Sequence, residues 1–381
     1  MASSSIIQQC PSCARVLPFT HIATNIITCT CGNVILRKGN NLQAKPFYII
    51  QQPHDSIQPG SEGVYLGRSF KVIGRFRAWI EEFVYNYWTI VFNDNNQMAY
   101  LAEGYGLYAI HEPVSVERRL SSNLLEDVKV GAQRDLFSVD PFVLERKYTC
   151  YKWEVEGEVF IPGDRDNFRT YEFAAADGRH IEVMDFGLDH IFSYQVYYTS
   201  YNTLQLTHTR TAEPLIRSIT CQKCQNTNDL KAFPFTQSFA CIHCEARYSL
   251  QSGYSFKLEK DRNNTDNGTN ITIGSKGNIK GIEYEVIGYT LKEEVKVYRS
   301  QWKEYTLYNT IEGFAFLSEF EGNWIFVRER GDAPVLEQEH VQTFNYDQEP
   351  FQLYNNYGYE IINSVGEFPY NIFNDQDRKV K

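Results

Sequence analysis

The sequence predicts a mainly β protein that contains two copies of one module. Three observations support this prediction: a composition rich in aromatic residues, two sets of paired cysteines, and a long internal repeat. The 381-residue chain contains 26 Tyr and 25 Phe but only 3 Met, and 43% of its residues are hydrophobic. Because Tyr, Phe, Val, Ile and Thr suit pleated, half-buried surfaces, this composition favours strands. The length allows two or three domains with real cores.

Eight of the nine cysteines lie in two sets of close pairs. The sets are Cys10, Cys13, Cys29, Cys31 and Cys221, Cys224, Cys241, Cys244. Two thiol pairs about 15 residues apart are the ligand pattern of a tetrahedral Zn²⁺ site. Four thiolates fill the coordination shell, so we expect each zinc to be structural rather than catalytic. The spacing therefore predicts two zinc ribbons, one over residues 1–50 and one over residues 214–258.

Three further residues bear on these ribbons and on cysteine chemistry. The first ribbon has a shorter C-x-C second knuckle, and Gly32 follows it directly, where it can supply backbone freedom. His243 lies inside the last knuckle and in principle could replace a thiolate, although such a residue more often faces solvent or donates a hydrogen bond to a sulfur. Cys150 has no close partner in the sequence, so we expect a buried small apolar residue rather than a nucleophile.

The repeat continues downstream of the cysteines. Residues 60–74 (GSEGVYLGRSFKVIG) and 274–288 (GSKGNIKGIEYEVIG) share seven of fifteen positions at an offset of 214. Trp88 aligns with Trp302 at that offset, and Leu101 lies close to the equivalent of Leu317. Self-similarity on this scale indicates a duplicated module. We therefore predict that each ribbon precedes a β-barrel or β-sandwich domain, over residues 55–205 and 271–381.

Late in each module a Gly-Glu pair recurs, as Gly157-Glu158 and Gly366-Glu367. We expect each glutamate to cap a turn or to pair with an arginine. After the first pair the module continues for about 45 residues of strand-like sequence, whereas 14 residues follow the second. The second β domain is therefore expected to be the shorter copy, to be completed by strands from elsewhere, or to belong to a longer natural chain.

The remaining elements follow from local patterns. Alternation over 69–74, 304–308 and 324–329 predicts strands, and residues 114–127 and 333–342 could form short helices. The glycine runs that begin at Gly60 and Gly274 resemble phosphate-binding loops. Each run leads into a strand rather than a helix, however, so we interpret them as tight turns.

Charge and targeting signals restrict the function classes. The net charge is -10, although residues 1–50 contain four basic and no acidic side chains. No run of 18 apolar residues predicts a membrane span, and the N-terminus lacks the pattern of a signal peptide. We therefore expect a cytoplasmic protein, whose reducing compartment favours metal-bound cysteines over disulfides. The eight histidines form no H-E-x-x-H, and no G-x-S-x-G elbow or Walker loop is present.

Four features occur in the same order in each module: a cysteine ribbon, a glycine run ending in V-I-G, a tryptophan (with E-Y-x-L-Y in the second module) and a late Gly-Glu. This order resembles the bacterial domain of unknown function 4178 family. The resemblance is clearest from Gly274 to Trp324 with Gly366-Glu367, and is looser in the first module. It implies a bacterial, cytoplasmic protein without an assigned activity. Relatives occur alongside membrane-stress proteins of the phage-shock type and polyamine-synthase-like enzymes.

We therefore predict a non-enzymatic, zinc-containing binding or scaffold protein with protein partners. We expect it to act in bacterial membrane-stress or polyamine-linked systems, where it could associate peripherally with a membrane. The sequence identifies no catalytic residue. Two alternatives stay open: nucleic-acid binding through the basic ribbons, and an enzyme with a site between the duplicated β domains. The oligomeric state is also left open.

Overall fold

The computed structural model describes residues 6–45, 48–51, 53–80, 83–115, 122–136, 141–161, 167–187, 191–251, 255–260, 269–295, 299–331, 343–346, 349–352, 357–373 and 379–380. These residues form two compact units. Unit 1 contains the described residues up to Thr211, together with Gly331, and unit 2 contains those of Ala212–Arg330 and those from Thr343 onward.

Unit 1 begins with the first cysteine set, carried on two small antiparallel sheets. One sheet is a hairpin of two strands and the other has three consecutive strands. The strands are β1 (Ile6–Gln9), β2 (Val16–Phe19), β3 (Ile26–Cys29), β4 (Asn33–Lys38) and β5 (Asn41–Lys45). A small core made by Leu17, Phe19, Ile27 and Ile35 joins the two sheets beside the buried thiols of Cys10 and Cys29.

The rest of unit 1 is a closed antiparallel barrel of eight strands. Its elements are β6 (Glu62–Tyr65), β7 (Arg68–Ile80), β8 (Phe83–Phe92), β9 (Met98–Gly104), β10 (Leu107–Pro113), α1 (Ser122–Glu126), β11 (Gln133–Arg134), β12 (Phe142–Val159), β13 (Phe168–Ala175), β14 (His180–Asp185) and β15 (Ile191–Thr199). The ladder runs β12-β13-β14-β15-β10-β9-β8-β7, and pairing of β7 with β12 closes the ring. Beyond the closure, Glu158 and Val159 of β12 pair with β3, so one strand joins the barrel to the ribbon.

Side chains alternate between the inside and the outside of this barrel, as the period of a strand requires. On β14, Glu182 and Met184 point inward, whereas Ile181 and Val183 pack outside against Leu125 of the short helix α1. Within the described part of the helix expected over 114–127, Ser122–Glu126 is helical. Val114 instead bonds to the Ser193 carbonyl beside the end of β10, and residues 116–121 lie outside the described residues. The helix expected over 333–342 also lies outside them.

Unit 2 repeats this order, and its described strands do not form a closed ring. Its strands are β16 (Arg217–Thr220), β17 (Thr227–Leu230), β18 (Ser238–Ala240), β19 (Arg247–Gln251), β20 (Ser255–Lys260), β21 (Lys276–Ile279), β22 (Ile282–Glu294), β23 (Gln301–Asn309), β24 (Gly313–Phe320), β25 (Asn323–Val327), β26 (Thr343–Tyr346), β27 (Glu349–Gln352), β28 (Tyr357–Phe368) and β29 (Lys379–Val380). The main sheet has the order β20-β19-β18-β28-β22-β23-β24-β25. Strand β28 joins ribbon and sheet as β12 does in unit 1.

The shared order makes β22–β25 the counterparts of β7–β10 and confirms the predicted fold class, which is mainly β with a duplicated arrangement. The register corrects one detail of the predicted repeat. Trp88 lies opposite Leu101, and the residue opposite Leu317 is Tyr305, whereas Trp302 lies opposite Lys292. The alignment of Trp88 with Trp302 is therefore wrong, because the connection from β22 to β23 is longer than the one from β7 to β8.

Candidate metal centres

The structure brings the four thiols of the first ribbon together. Sγ of Cys10 lies 3.8 Å from Sγ of Cys31, and Sγ of Cys13 lies 3.6 Å from Sγ of Cys29. All four sulfurs lie within 4.8 Å of one another. A tetrahedron with metal–sulfur bonds of about 2.3 Å has sulfur–sulfur edges of about 3.8 Å, whereas a disulfide bond measures about 2.05 Å. The arrangement therefore fits a tetrahedral metal ion.

The second ribbon has the same geometry. Cys221 and Cys244 have their sulfurs 3.6 Å apart, and those of Cys224 and Cys241 are 3.7 Å apart. Again the four sulfurs lie within 4.8 Å of one another, and the cluster is complete without His243. Both cysteine sets can therefore hold a metal ion, and such all-sulfur tetrahedra suit Zn²⁺ or iron.

Each cysteine pair is held by a tight backbone turn. At the first knuckle the Cys10 carbonyl accepts a hydrogen bond from Ala14 N, and Cys10 N donates to the Arg15 carbonyl, both at 2.8 Å. The knuckles that start at Cys221 and Cys241 repeat this pattern. Their fifth residues all have positive φ angles; these are Ala14, Gln225 and Glu245. The turn geometry therefore comes from the backbone, which explains why the intervening residues differ.

The shorter knuckle of the first ribbon depends on Gly32. Its N–H donates to the Cys29 carbonyl at 3.0 Å, and its φ is 83°. This left-handed conformation suits glycine, because other residues would bring a Cβ too close to the backbone. The sequence-based expectation that Gly32 supplies backbone freedom to the knuckle is thus realised.

Neighbouring polar groups donate hydrogen bonds to the sulfurs. Nδ2 of Asn33 lies 3.4 Å from Sγ of Cys31, and this bond is the main cause that lowers the pKa of the Cys31 thiol to about 6. At Cys221, burial opposes ionisation, but the Tyr248 hydroxyl 3.1 Å away and nearby backbone groups lower the pKa to about 6. Donors of this kind favour the thiolate form that a metal requires.

A buried glutamate fastens the first ribbon to the barrel. One carboxylate oxygen of Glu158 accepts bonds from the backbone N–H and the hydroxyl of Thr20, at 2.8 and 2.6 Å. The other accepts from His21 N at 3.0 Å and from the Thr24 hydroxyl. Glu158 belongs to β12, so its carboxylate links the strand that closes the barrel to the loop between the two cysteine knuckles.

The second ribbon is fastened in the same way. Glu367 on β28 accepts bonds from Lys231 N at 2.6 Å, from Ala232 N at 3.1 Å and from the Thr236 hydroxyl at 2.9 Å. Thr20 and Lys231 each lie ten residues after the first cysteine of their ribbon. The expectation that the recurring glutamates cap a turn is therefore met. Their partners in these bonds are backbone N–H groups and threonine hydroxyls rather than the arginine that was the alternative.

A polar cluster that the sequence analysis did not predict lies buried inside the barrel of unit 1. Glu182 accepts a bond from the Tyr87 hydroxyl at 2.9 Å and one from the Thr170 hydroxyl at 2.5 Å, and it lies 2.8 Å from Nδ1 of His111. Burial disfavours the charged carboxylate, but the bond and charge of His111 outweigh it and lower the pKa of Glu182. Four strands supply these groups, so only the alternation of polar residues within apolar runs could have indicated them.

The unpaired cysteine behaves as expected. Cys150 is fully buried in the barrel core, and its thiol donates to the Lys152 carbonyl at 3.1 Å. Burial raises the pKa of this thiol to about 12, so it lacks the thiolate character that a nucleophile needs.

Comparison with known proteins adds one finding. Residues 272–377 match the family model described as a domain of unknown function (DUF4178). This confirms the resemblance predicted from the motifs, for the part of unit 2 that follows the ribbon. No curated protein and no solved structure matches the chain. Within the described residues, no helix has both the length and the apolar character that crossing a membrane would need.

Proposed function

We propose that the protein is a non-enzymatic scaffold that binds one structural Zn²⁺ in each ribbon and presents its β domains to partners. The ligands of the first ion are Cys10, Cys13, Cys29 and Cys31, and those of the second are Cys221, Cys224, Cys241 and Cys244. The observation that carries the proposal is the pair of four-sulfur clusters, each joined to its β domain by a buried glutamate.

A structural role for the metal follows from the ligand set. Bound Zn²⁺ would cross-link the two knuckles of a ribbon, and four protein sulfurs leave no position for water or substrate. In the first ribbon, the two sheets that carry the cysteines share a small core, to which one sheet contributes Leu17 and Phe19 and the other contributes Ile27 and Ile35. Metal binding would therefore contribute directly to the folding free energy of each ribbon.

Metal analysis of the purified chain tests the proposal. We expect two zinc ions per chain and one in Cys224→Ser, which removes a half-buried ligand. Cys150→Ala is the matched control, because it removes a thiol outside both clusters and should retain two ions. A chain that folds without metal, that binds iron, or that loses no zinc in Cys224→Ser would contradict the proposal.

We place this scaffold in the bacterial cytoplasm, with a protein partner in a membrane-stress or polyamine-linked system and with peripheral contact to the membrane. The sulfur–sulfur distances of the two clusters, which suit a metal ion rather than a disulfide, support a reducing compartment. The bacterial setting and the partner system follow from what the resemblance to the matched family implies. Affinity capture with the tagged chain should recover a specific protein, and Cys224→Ser should recover less of it. Retention on DNA or RNA that falls steeply with salt would favour the nucleic-acid alternative instead.

A further inference from the structure

The last strand of the unit 2 sheet has an open edge. In the barrel of unit 1, β10 pairs with β9 on one side and with β15 on the other. Its counterpart β25 pairs with β24, and among the described residues it has no neighbour on its other side. Such an edge presents a row of backbone N–H and C=O groups that can pair with another strand.

Four of the five side chains of β25 are apolar, and exposed apolar side chains lie on both of its faces. Trp324 is 44% exposed, Ile325 60% and Val327 47%. In unit 2, Phe326 of β25 lies opposite Leu317, just as Ile110 of β10 lies opposite Leu101 in unit 1. The neighbours Ile325 and Val327 therefore correspond to Ala109 and His111 of β10. The corresponding face in unit 1 is the buried inside of the barrel.

The edge also lacks the usual protection against pairing. Natural edge strands carry lysine, proline or a bulge. Strand β20, at the opposite end of the same sheet, carries Lys257 and Glu259, which form an ion pair with each other. The sequence of β25 is Asn-Trp-Ile-Phe-Val, and its ladder with β24 runs without a register shift.

We propose that β25 pairs antiparallel with β25 of a second copy of this chain, so that the two open sheets form one continuous sheet. A strand that pairs with its own copy about a two-fold axis has one residue opposite itself. The charges around β25 choose between the two central registers.

Centring the pair on Ile325 would place Glu321 opposite Glu329, and like charges directly opposite each other are destabilising. Centring it on Phe326 places Ile325 opposite Val327 and Trp324 opposite Arg328. The first pair is apolar, and the second brings the aliphatic stem of Arg328, whose guanidinium pairs with Glu312 of its own chain, against an indole ring.

The same register brings the acidic end of one strand to the basic end of the other. Glu321 lies in the turn before β25, whereas Arg328 and Arg330 follow the strand with Glu329 between them. Antiparallel pairing of two copies therefore sets opposite charges near each other twice. This complementarity favours a second copy over an unrelated strand. The inference does not use the metal ions, so it can hold or fail independently of the proposed function.

Sedimentation velocity of the full chain over a concentration series tests the pairing. We expect a species of twice the 44.3 kDa chain mass that dissociates on dilution. Ile325→Lys adds a charge to an exposed edge residue, and it should weaken the dimer at least about tenfold while leaving the fold intact. Leu66→Lys is the matched control, because Leu66 is an 82% exposed residue of the turn between β6 and β7.

Cross-linking tests the register. Phe326→Cys should give a dimer with a short bis-maleimide, because each copy's residue 326 lies opposite the other. Phe351→Cys, which changes an exposed aromatic residue of β27, sets the background together with the parent chain. A parent that stays monomeric at every concentration, a dimer unaffected by Ile325→Lys, or equal cross-linking at both positions would overturn the proposal.

Discussion

At the scale of single residues, Glu158 and Glu367 decide how each ribbon is held on its β domain. Their recurrence after a glycine was visible in the sequence, and so was the expectation of a capping role. Their partners could not be found that way, because Thr20 and Lys231 lie more than 130 positions away in the chain. The cysteine ligands are the opposite case, since a short spacing and a tight turn almost determine a four-thiol site.

Replacing Glu158 by alanine should destabilise unit 1. The change leaves the backbone N–H groups of Thr20 and His21 without their acceptor, and each buried unsatisfied donor costs about 1–3 kcal/mol. We expect Glu158→Ala to lower the free energy of unfolding by about 3 kcal/mol, as measured by urea denaturation. The exposed Glu62→Ala on β6 is the control and should change it by less than about 0.5 kcal/mol. Equal effects of the two substitutions would show that the carboxylate contributes nothing beyond surface charge.

At the scale of elements, a close backbone approach sets the point where each sheet meets its ribbon. Gly74 lies opposite Gly157, and Gly288 lies opposite Gly366. The ladders of β7 with β8 and of β22 with β23 each have an irregularity just before the first glycine of the pair. The repeated V-I-G and the late Gly-Glu were therefore correctly interpreted as corresponding features. Their mutual contact was not predictable, because it depends on a pairing between strands about 80 residues apart.

The close approach makes Gly288→Ala a sharp test. A Cβ at Gly288 would lie 2.2 Å from the Glu367 carbonyl oxygen, and a backbone atom cannot move aside cheaply. We expect this substitution to destabilise unit 2 by about 2–3 kcal/mol, the cost typical of overpacking. Gly277→Ala is the matched control: Gly277 is in β21 of the same unit, and a Cβ there would meet nothing within 4 Å. Thermal unfolding should separate the two variants clearly, and similar melting temperatures would show that the approach is not tight.

At the scale of the whole molecule, duplication preserved the order of the corresponding strands but changed the buried contacts between their side chains. In unit 1 the fully buried Arg75 lies 4.3 Å from the Trp88 ring and pairs with Asp55. The corresponding pair in unit 2 is Tyr289 and Tyr305, whose ring centroids are 5.4 Å apart. An ionic cluster in one copy thus takes the place of two tilted aromatic rings, with 52° between their planes, in the other. The sequence could predict two related modules, whereas closure of the barrel in unit 1 depends on the distant pairing of β10 with β15, which has no counterpart among the described residues of unit 2.

Because each unit has its own ribbon and its own hydrophobic clusters, loss of one metal site should affect one unit. Cys13→Ser should speed backbone hydrogen exchange in peptides of unit 1, and Cys224→Ser should do so in peptides of unit 2. We expect the affected unit to melt about 10 °C lower, as a loss of several kcal/mol implies for a domain of this size. Exchange measured by mass spectrometry locates each effect, and the two variants serve as controls for each other. Equal acceleration in both units by either substitution would mean that the duplicated halves unfold as a single cooperative structure.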